Sequence, residues 1–242
     1  MMTEERLAAL KDFERLLSCR FEDVSILDNA LTHRSFVNEK AGIGCCDNER
    51  LEFLGDAILG LCISDMLMRE FPDYMEGQLS KLRASVVNEQ SLAELARRFG
   101  VGNYLLLGKG EEISGGREKN SLLANTFEAI IAAIYLDCGF NETLLMVRKL
   151  FSPLIKEGAQ ELTYRDYKTI VQELAQNRFR DTPHYTLIGE YGPDHDKIFE
   201  MELTLGSIIT TLGLGKSKKE AEQQAAKKVL EILKAEAPSK DS

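Results

Sequence analysis

The stretch Asn48-Glu-Arg-Leu-Glu-Phe-Leu-Gly-Asp56 sets Glu49, Glu52 and Asp56 at i, i+3 and i+7. On a helix those positions share one face, and Leu51, Phe53, Leu54, Ile58 and Leu61 fall on the other. Like charges roughly 4 Å apart repel by about 4 kcal/mol at an effective dielectric of about 20. Such a stripe is therefore either spread into solvent or neutralised by a cation. A second run sets Asn125 and Glu128 three apart beside Phe127, Ile130, Ile131 and Ile134, so two more oxygen donors converge on the first three if the helices meet. Oxygen-only ligands select hard ions such as Mg²⁺ or Mn²⁺, which keep several waters and bridge to substrate phosphates. The metal reading thus points to phosphodiester chemistry, and a solvated acidic helix face is the alternative that spacing alone leaves open.

Working outward, stripes of helical period run through 7–17, 49–70, 79–99, 121–137 and 141–155, punctuated by Pro72, Gly100, the Gly-rich run 108–116 and Gly139. Strand alternation is scarce up to about residue 155, which predicts an all-α domain over 1–155. The run 108–116 reads as a flexible surface loop. Residues 156–163 are polar and less periodic, as in a short linker. Beyond them Tyr167, Ile170, Val171 and Leu174 form one helical face, and 184–190, 197–204 and 207–212 read as strands. A last helix from about Ser217 buries Ala221, Ala225, Ala226, Val229, Leu230 and Leu233. The chain is therefore multidomain: the all-α domain, then an α-β-β-β-α (α+β) module over 164–235, then a flexible tail over 236–242.

With 44% hydrophobic and 29% charged residues in 242, the composition is that of a globular protein. The net charge of −9 argues superficially against a nucleic-acid partner, but it is unevenly spread. Residues 1–162 hold eighteen basic and twenty-six acidic side chains, whereas Thr163 to Leu233 hold ten and eleven. No window approaches eighteen uninterrupted apolar residues, and the acidic, helical start differs from a signal peptide, so a cytoplasmic protein with no membrane partner is expected. The five cysteines avoid zinc-ligand spacings and are expected to be reduced thiols. Gly213-Leu-Gly-Lys-Ser-Lys-Lys219 precedes the Ala-rich last helix, where free backbone N–H groups with Lys216, Lys218 and Lys219 form a phosphate-docking end. A P-loop would need glycine where Thr210 stands, so no nucleotide cofactor is expected.

The segment 48–56 resembles the ribonuclease III family of double-strand-specific endoribonucleases. Leu31-Thr-His-Arg-Ser35, Gly77-Gln-Leu-Ser-Lys-Leu-Arg83, Gly108-Lys-Gly-Glu-Glu112, Ser114-Gly-Gly-Arg-Glu118 and Asn125-Thr-Phe-Glu-Ala129 follow in the family's order. The resemblance implies a homodimer that hydrolyses double-stranded RNA with divalent metal, Mg²⁺ or Mn²⁺ in its place, leaving 5′-phosphate and 3′-hydroxyl ends with short 3′ overhangs. Ribosomal RNA precursors are the family's usual target. By position Glu52, Asp56 and Glu128 match its metal-binding carboxylates, and Glu49 matches an acid beside the scissile strand. Asp56, Glu128 and Glu49 are thus the catalytic candidates. Asn125 stands where the family usually has Asp and can still ligate through its carbonyl oxygen. Phe53 matches a residue that plugs into the partner subunit, against the alternative of an ordinary core Phe. His33 is read as a structural hydrogen-bonder.

Pro183-His-Tyr185, Gly192-Pro-Asp-His195, Phe199 and the lysines before the last helix resemble a double-stranded-RNA-binding domain. Such a domain reads A-form shape, touching two minor grooves and the phosphates between them. Gln172, Glu173 and Gln176 match one minor-groove contact and His195 the second. Tyr185 and Phe199 are read as core. Glu222 takes the place of a third lysine. A double-stranded-RNA-binding regulator with impaired cleavage is the other function considered, motivated by Asn125.

Overall fold

The computed structural model describes residues 2–40, 46–193, 196–206 and 209–235. The backbone divides into two units, Met1–Gly158 and Ala159–Ser242. In the first, α1 (Glu4–Leu17) begins where the Thr3 hydroxyl accepts the Arg6 N–H, and it buries Leu10, Phe13 and Leu17. Asp23 caps α2 (Val24–Ala30) and His33 caps α3 (Arg34–Glu39) in the same way. Then come α4 (Glu49–Glu70), α5 (Glu76–Val86), α6 (Glu89–Arg98) and the short α7 (Lys109–Ile113). The single stripe expected over 79–99 is two helices, because the Asn88 side chain accepts the Ser91 N–H and starts α6 with only Val87 and Asn88 between it and α5.

The next helix, α8 (Asn120–Leu174), is broken inside at Gly139, whose φ of 80° lies in the left-handed region that favours glycine. The two apolar stripes expected at 121–137 and 141–155 fall on either side of that break. Residues 120–160 are long and apolar enough by composition to cross a membrane. In this fold Phe127, Ile130, Ile131 and Ile134 are instead buried with Phe13, Leu59, Ile63, Leu82 and Phe151. The polar segment 156–163, expected as a short linker, has helical backbone. Its Lys, Glu and Gln residues are polar yet favour helix, as does Ala159. Cys19, Cys46, Cys62 and Cys138 carry free thiols, and Cys45 lies outside the described residues.

In the second unit the end of α8 passes through a π-helical turn, Ala175–Phe179, into β1 (His184–Tyr191), β2 (Ile198–Leu205) and β3 (Ile209–Gly215), and then α9 (Lys218–Ala235). The strands form an antiparallel sheet in the order β1-β2-β3, with an irregularity between Leu187 and Gly189. Val171, Ala175, Leu203, Leu205, Ala225, Val229 and Leu233 make the core between helices and sheet, and Tyr167, Ile170 and Leu174 pack against it. A methyl group on Gly213 would lie 2.0 Å from the Ala221 carbonyl oxygen, so glycine is what lets α9 lie directly on β3. Residues 207 and 208 of the third expected strand lie outside the described residues, and β3 continues through Gly215.

Candidate active site and nucleic-acid interface

Two helices meet at Gly55. A methyl group there would lie 1.9 Å from the Glu128 carbonyl oxygen, so the bare backbone of α4 touches α8 at the level of the acids. Buried Asn48, just before α4, holds the register: its N–H donates to the Thr32 carbonyl at 2.9 Å and its amide donates to the Ala30 carbonyl at 3.2 Å. The same amide reaches the Thr126 hydroxyl on α8 at 3.5 Å. The result is a cleft of about 580 Å³ bordered by Glu49, Glu52 and Asp56 from α4 and by Asn125 and Glu128 from α8. His33, Arg34, Phe53, Ser121 and Leu122 complete its wall. Sequence spacing singled out neither Ser121 and Leu122 nor Gly55, whose role depends on a helix far away in the chain.

The electrostatics of this cleft are lopsided. Burial raises the Glu128 carboxyl from its ordinary 4.5 to about 7, and the charges of Asp56 and Glu52 push in the same direction. Burial also raises Glu52, partly offset by the hydrogen bond its carboxylate accepts from the Asn125 amide. Arg34 lies 3.0 Å from Glu49 at the rim. Among the described residues no three His, Cys, Asp or Glu side chains stand close enough together to grip a metal ion as they are. They border one space and repel one another across it. The donors facing that space are carboxylate and amide oxygens, a set suited to a hard dication such as Mg²⁺.

His33 serves the framework. Its Nδ1 engages the Ser35 hydroxyl at 2.8 Å, that hydroxyl accepts the Gly108 N–H at 2.9 Å, and burial lowers the imidazole pKa. The Gly-rich run is correspondingly not a loose loop. Glu39 accepts the Lys109 and Gly110 N–H groups at the start of α7, and Arg117 pairs with Glu112 while donating to the Gly102 and Leu105 carbonyls. Phe53 is 81% exposed and Leu61 58% exposed, so neither belongs to the core face on which periodicity put them. Helix α4 has an acidic face, a core face and a third face that is apolar and open.

In the second unit Gln172 and Glu173 stand exposed at the end of α8 and Gln176 in the π-helical turn after it, and Lys218 and Lys219 stand exposed at the start of α9. Lys216 lies 3.2 Å from Asp196, and Lys218 lies 3.4 Å from Glu190. His195 lies outside the described residues. Glu222 pairs with Lys168 at 2.6 Å, and the Lys168 ammonium sits 4.3 Å from the Tyr185 ring centroid. That ring packs on the core and is not a free stacking platform.

Residues 23–154 match the family model described as Ribonuclease-III-like, and residues 167–233 match the double-stranded RNA binding motif. Ribonuclease 3 of Syntrophobacter fumaroxidans is 48% identical over 236 residues, covering 96% of this chain and 98% of that protein. Ribonuclease 3 of Geobacter metallireducens is 50% identical over 226 residues, covering 93% and 92%. A solved nuclease domain of ribonuclease III from Campylobacter jejuni, described for flexibility in a region involved in dimer formation, aligns with a TM-score of 0.55 at 41% identity over 60% of this chain and 96% of its own. With both modules matched in order and the relatives' length almost fully covered, the acid-lined cleft has its family: the chain belongs to ribonuclease III, metal-dependent endoribonucleases of double-stranded RNA.

Proposed function

We propose that the cleft between α4 and α8 hydrolyses double-stranded RNA with Mg²⁺, leaving 5′-phosphate and 3′-hydroxyl ends with short 3′ overhangs. The observation that carries this reading is the cleft itself, where Glu49, Glu52 and Asp56 from α4 and Asn125 and Glu128 from α8 border one space. Glu52, Asp56, Asn125 and Glu128 would hold the ion, and Mn²⁺ would serve in its place. When bound, the ion supplies positive charge to the leaving 3′ oxygen and lowers the proton affinity of attacking water. Asp56 and Glu128 would approach the phosphate from the two helices that border the cleft. Glu49, tied to Arg34 at the rim, would stand beside the scissile strand. The Asn125 amide orients the Glu52 carboxylate.

The working unit in this proposal is a homodimer, one cleft per RNA strand, with Phe53 plugging into the partner. Exposed Phe53, Leu61 and Met68 (64% exposed), all on α4, supply apolar surface for a second copy to cover. The module over 164–235 would hold A-form RNA through Gln172, Glu173, Gln176, His195, Lys216, Lys218 and Lys219. Ribosomal RNA precursors and other structured transcripts, in the cytoplasm, are the proposed targets. The test is cleavage of a plain RNA duplex with Mg²⁺, with Mn²⁺ and with chelator, with product ends mapped. Cutting that survives chelator, or blunt ends carrying 3′-phosphate, would refute the proposal.

A further inference from the structure

The second unit holds acids where a polyanion is to dock. Its charge between Thr163 and Leu233 is ten basic residues against eleven acidic. The strand register puts Glu190 opposite Phe199, and Phe199 opposite Gly215, so Glu190 lies across the sheet from the start of α9. From there its carboxylate reaches Lys218 at 3.4 Å, while the Lys218 ammonium sits 5.6 Å from the Phe199 ring centroid. Asp196, from the turn before β2, lies 3.2 Å from Lys216. Glu220 bends back so that its carboxylate accepts the Lys216 N–H at 2.7 Å, while its own N–H donates to the Ser217 hydroxyl at 3.1 Å. Acids from three parts of the module thus converge on the end where phosphates would bind.

We infer that Glu190, Asp196 and Glu220 are built-in competitors for the phosphate-binding lysines and the adjoining backbone, and that duplex RNA binds by displacing them. This rests on the reading of Lys216 and Lys218 as phosphate contacts. A phosphate arriving at Lys218 replaces a carboxylate already in contact, and the released carboxylate then lies beside the phosphate. The net gain is the difference between two ion pairs, not the whole of one. Exposed ion pairs are individually weak, so each acid lowers RNA affinity by about two- to fivefold without blocking binding. An acid-neutralised lysine also contributes less to counterion release, which flattens the salt dependence of binding.

The test uses the full chain with a blunt RNA duplex in chelator, so that the RNA stays whole. Glu190→Gln and Asp196→Asn should each tighten binding by about two- to fivefold, and each should steepen the slope of log affinity against log salt by up to about 0.9. Glu190 also lies 3.6 Å from Lys197, so the Asp196→Asn and Lys216→Ala pair gives a second, cleaner cycle. In the Lys218→Ala background the Glu190→Gln gain should disappear, as should the Asp196→Asn gain in Lys216→Ala. Gains that persist in those backgrounds would mean plain acid–RNA repulsion and would overturn the inference. So would unchanged affinity in both acid variants while Lys218→Ala and Lys216→Ala still weaken binding. If the lysine variants bind as tightly as wild type, the reading of α9 as the phosphate-facing end falls, and the inference falls with it.

Discussion

Glu128→Gln should make the metal-free protein more stable at pH 8 and leave its stability nearly unchanged at pH 4. In the folded chain the Glu128 carboxyl holds its proton to about pH 7, whereas an unfolded chain releases it near 4.5. The folded state therefore binds more protons between those values, and stability falls as pH rises through that window. Taken in full, the difference is about 3 kcal/mol. Solvent at the open mouth of the cleft screens part of it, so about 1–2 kcal/mol is expected. For a unit of this size that is a rise in Tm of about 3–6 °C at pH 8 for the glutamine variant. Thermal unfolding in chelator at pH 4 and pH 8 measures both ends of the window. The same variant should lose cleavage in Mg²⁺ yet keep duplex binding. A glutamine variant no more stable than wild type at pH 8 would show that the three acids do not strain one another, and the electrostatic case for a dication there would lose its basis.

Gly55→Ala would drive a methyl group into the Glu128 carbonyl, so α4 and α8 must part; a loss of about 1–3 kcal/mol in unfolding free energy and a collapse of cleavage are expected. Asn125→Asp adds a charge to the cleft and should lower the Mg²⁺ concentration for half-maximal cleavage without moving the cut, and metal dependence identical to wild type would show that residue 125 does not set it. Lys218→Ala with Lys219→Ala should weaken all duplexes alike and flatten the salt slope by up to about 0.9 per lost contact, read by binding at several salt concentrations.

The acidic cleft was legible because its parts are local: i, i+3, i+7 on one helix and i, i+3 on another. The helical stripes at 121–137 and 141–155 were legible for the same reason, and Gly139 marked the break between them. The division of 79–99 was not, because its apolar period continues across the break while the cap is a single side chain, Asn88, accepting one N–H. Phe53 and Leu61 misled because periodicity sorts a helix into apolar and polar and cannot tell an apolar residue that faces the core from one left open. Gly55 was quoted within a motif, yet its reason lies on another helix more than seventy residues away.

Counting charge by segment also conceals whether opposite charges meet. In the first unit the acids of the cleft are gathered, among the described residues, with Arg34 at the rim, so part of the domain's negative excess stays as a local field that burial strengthens. In the second unit acid and base are nearly equal in number, and pairs such as Lys216 with Asp196, Lys218 with Glu190 and Lys168 with Glu222 are already joined. Each of those pairs spans twenty or more residues, so only the strand register and the seating of α9 bring them together. The same side chains thus do opposite work. Carboxylates crowded around Glu128 favour binding of a dication, while those ion-paired around α9 hold the lysines back until phosphates take their place.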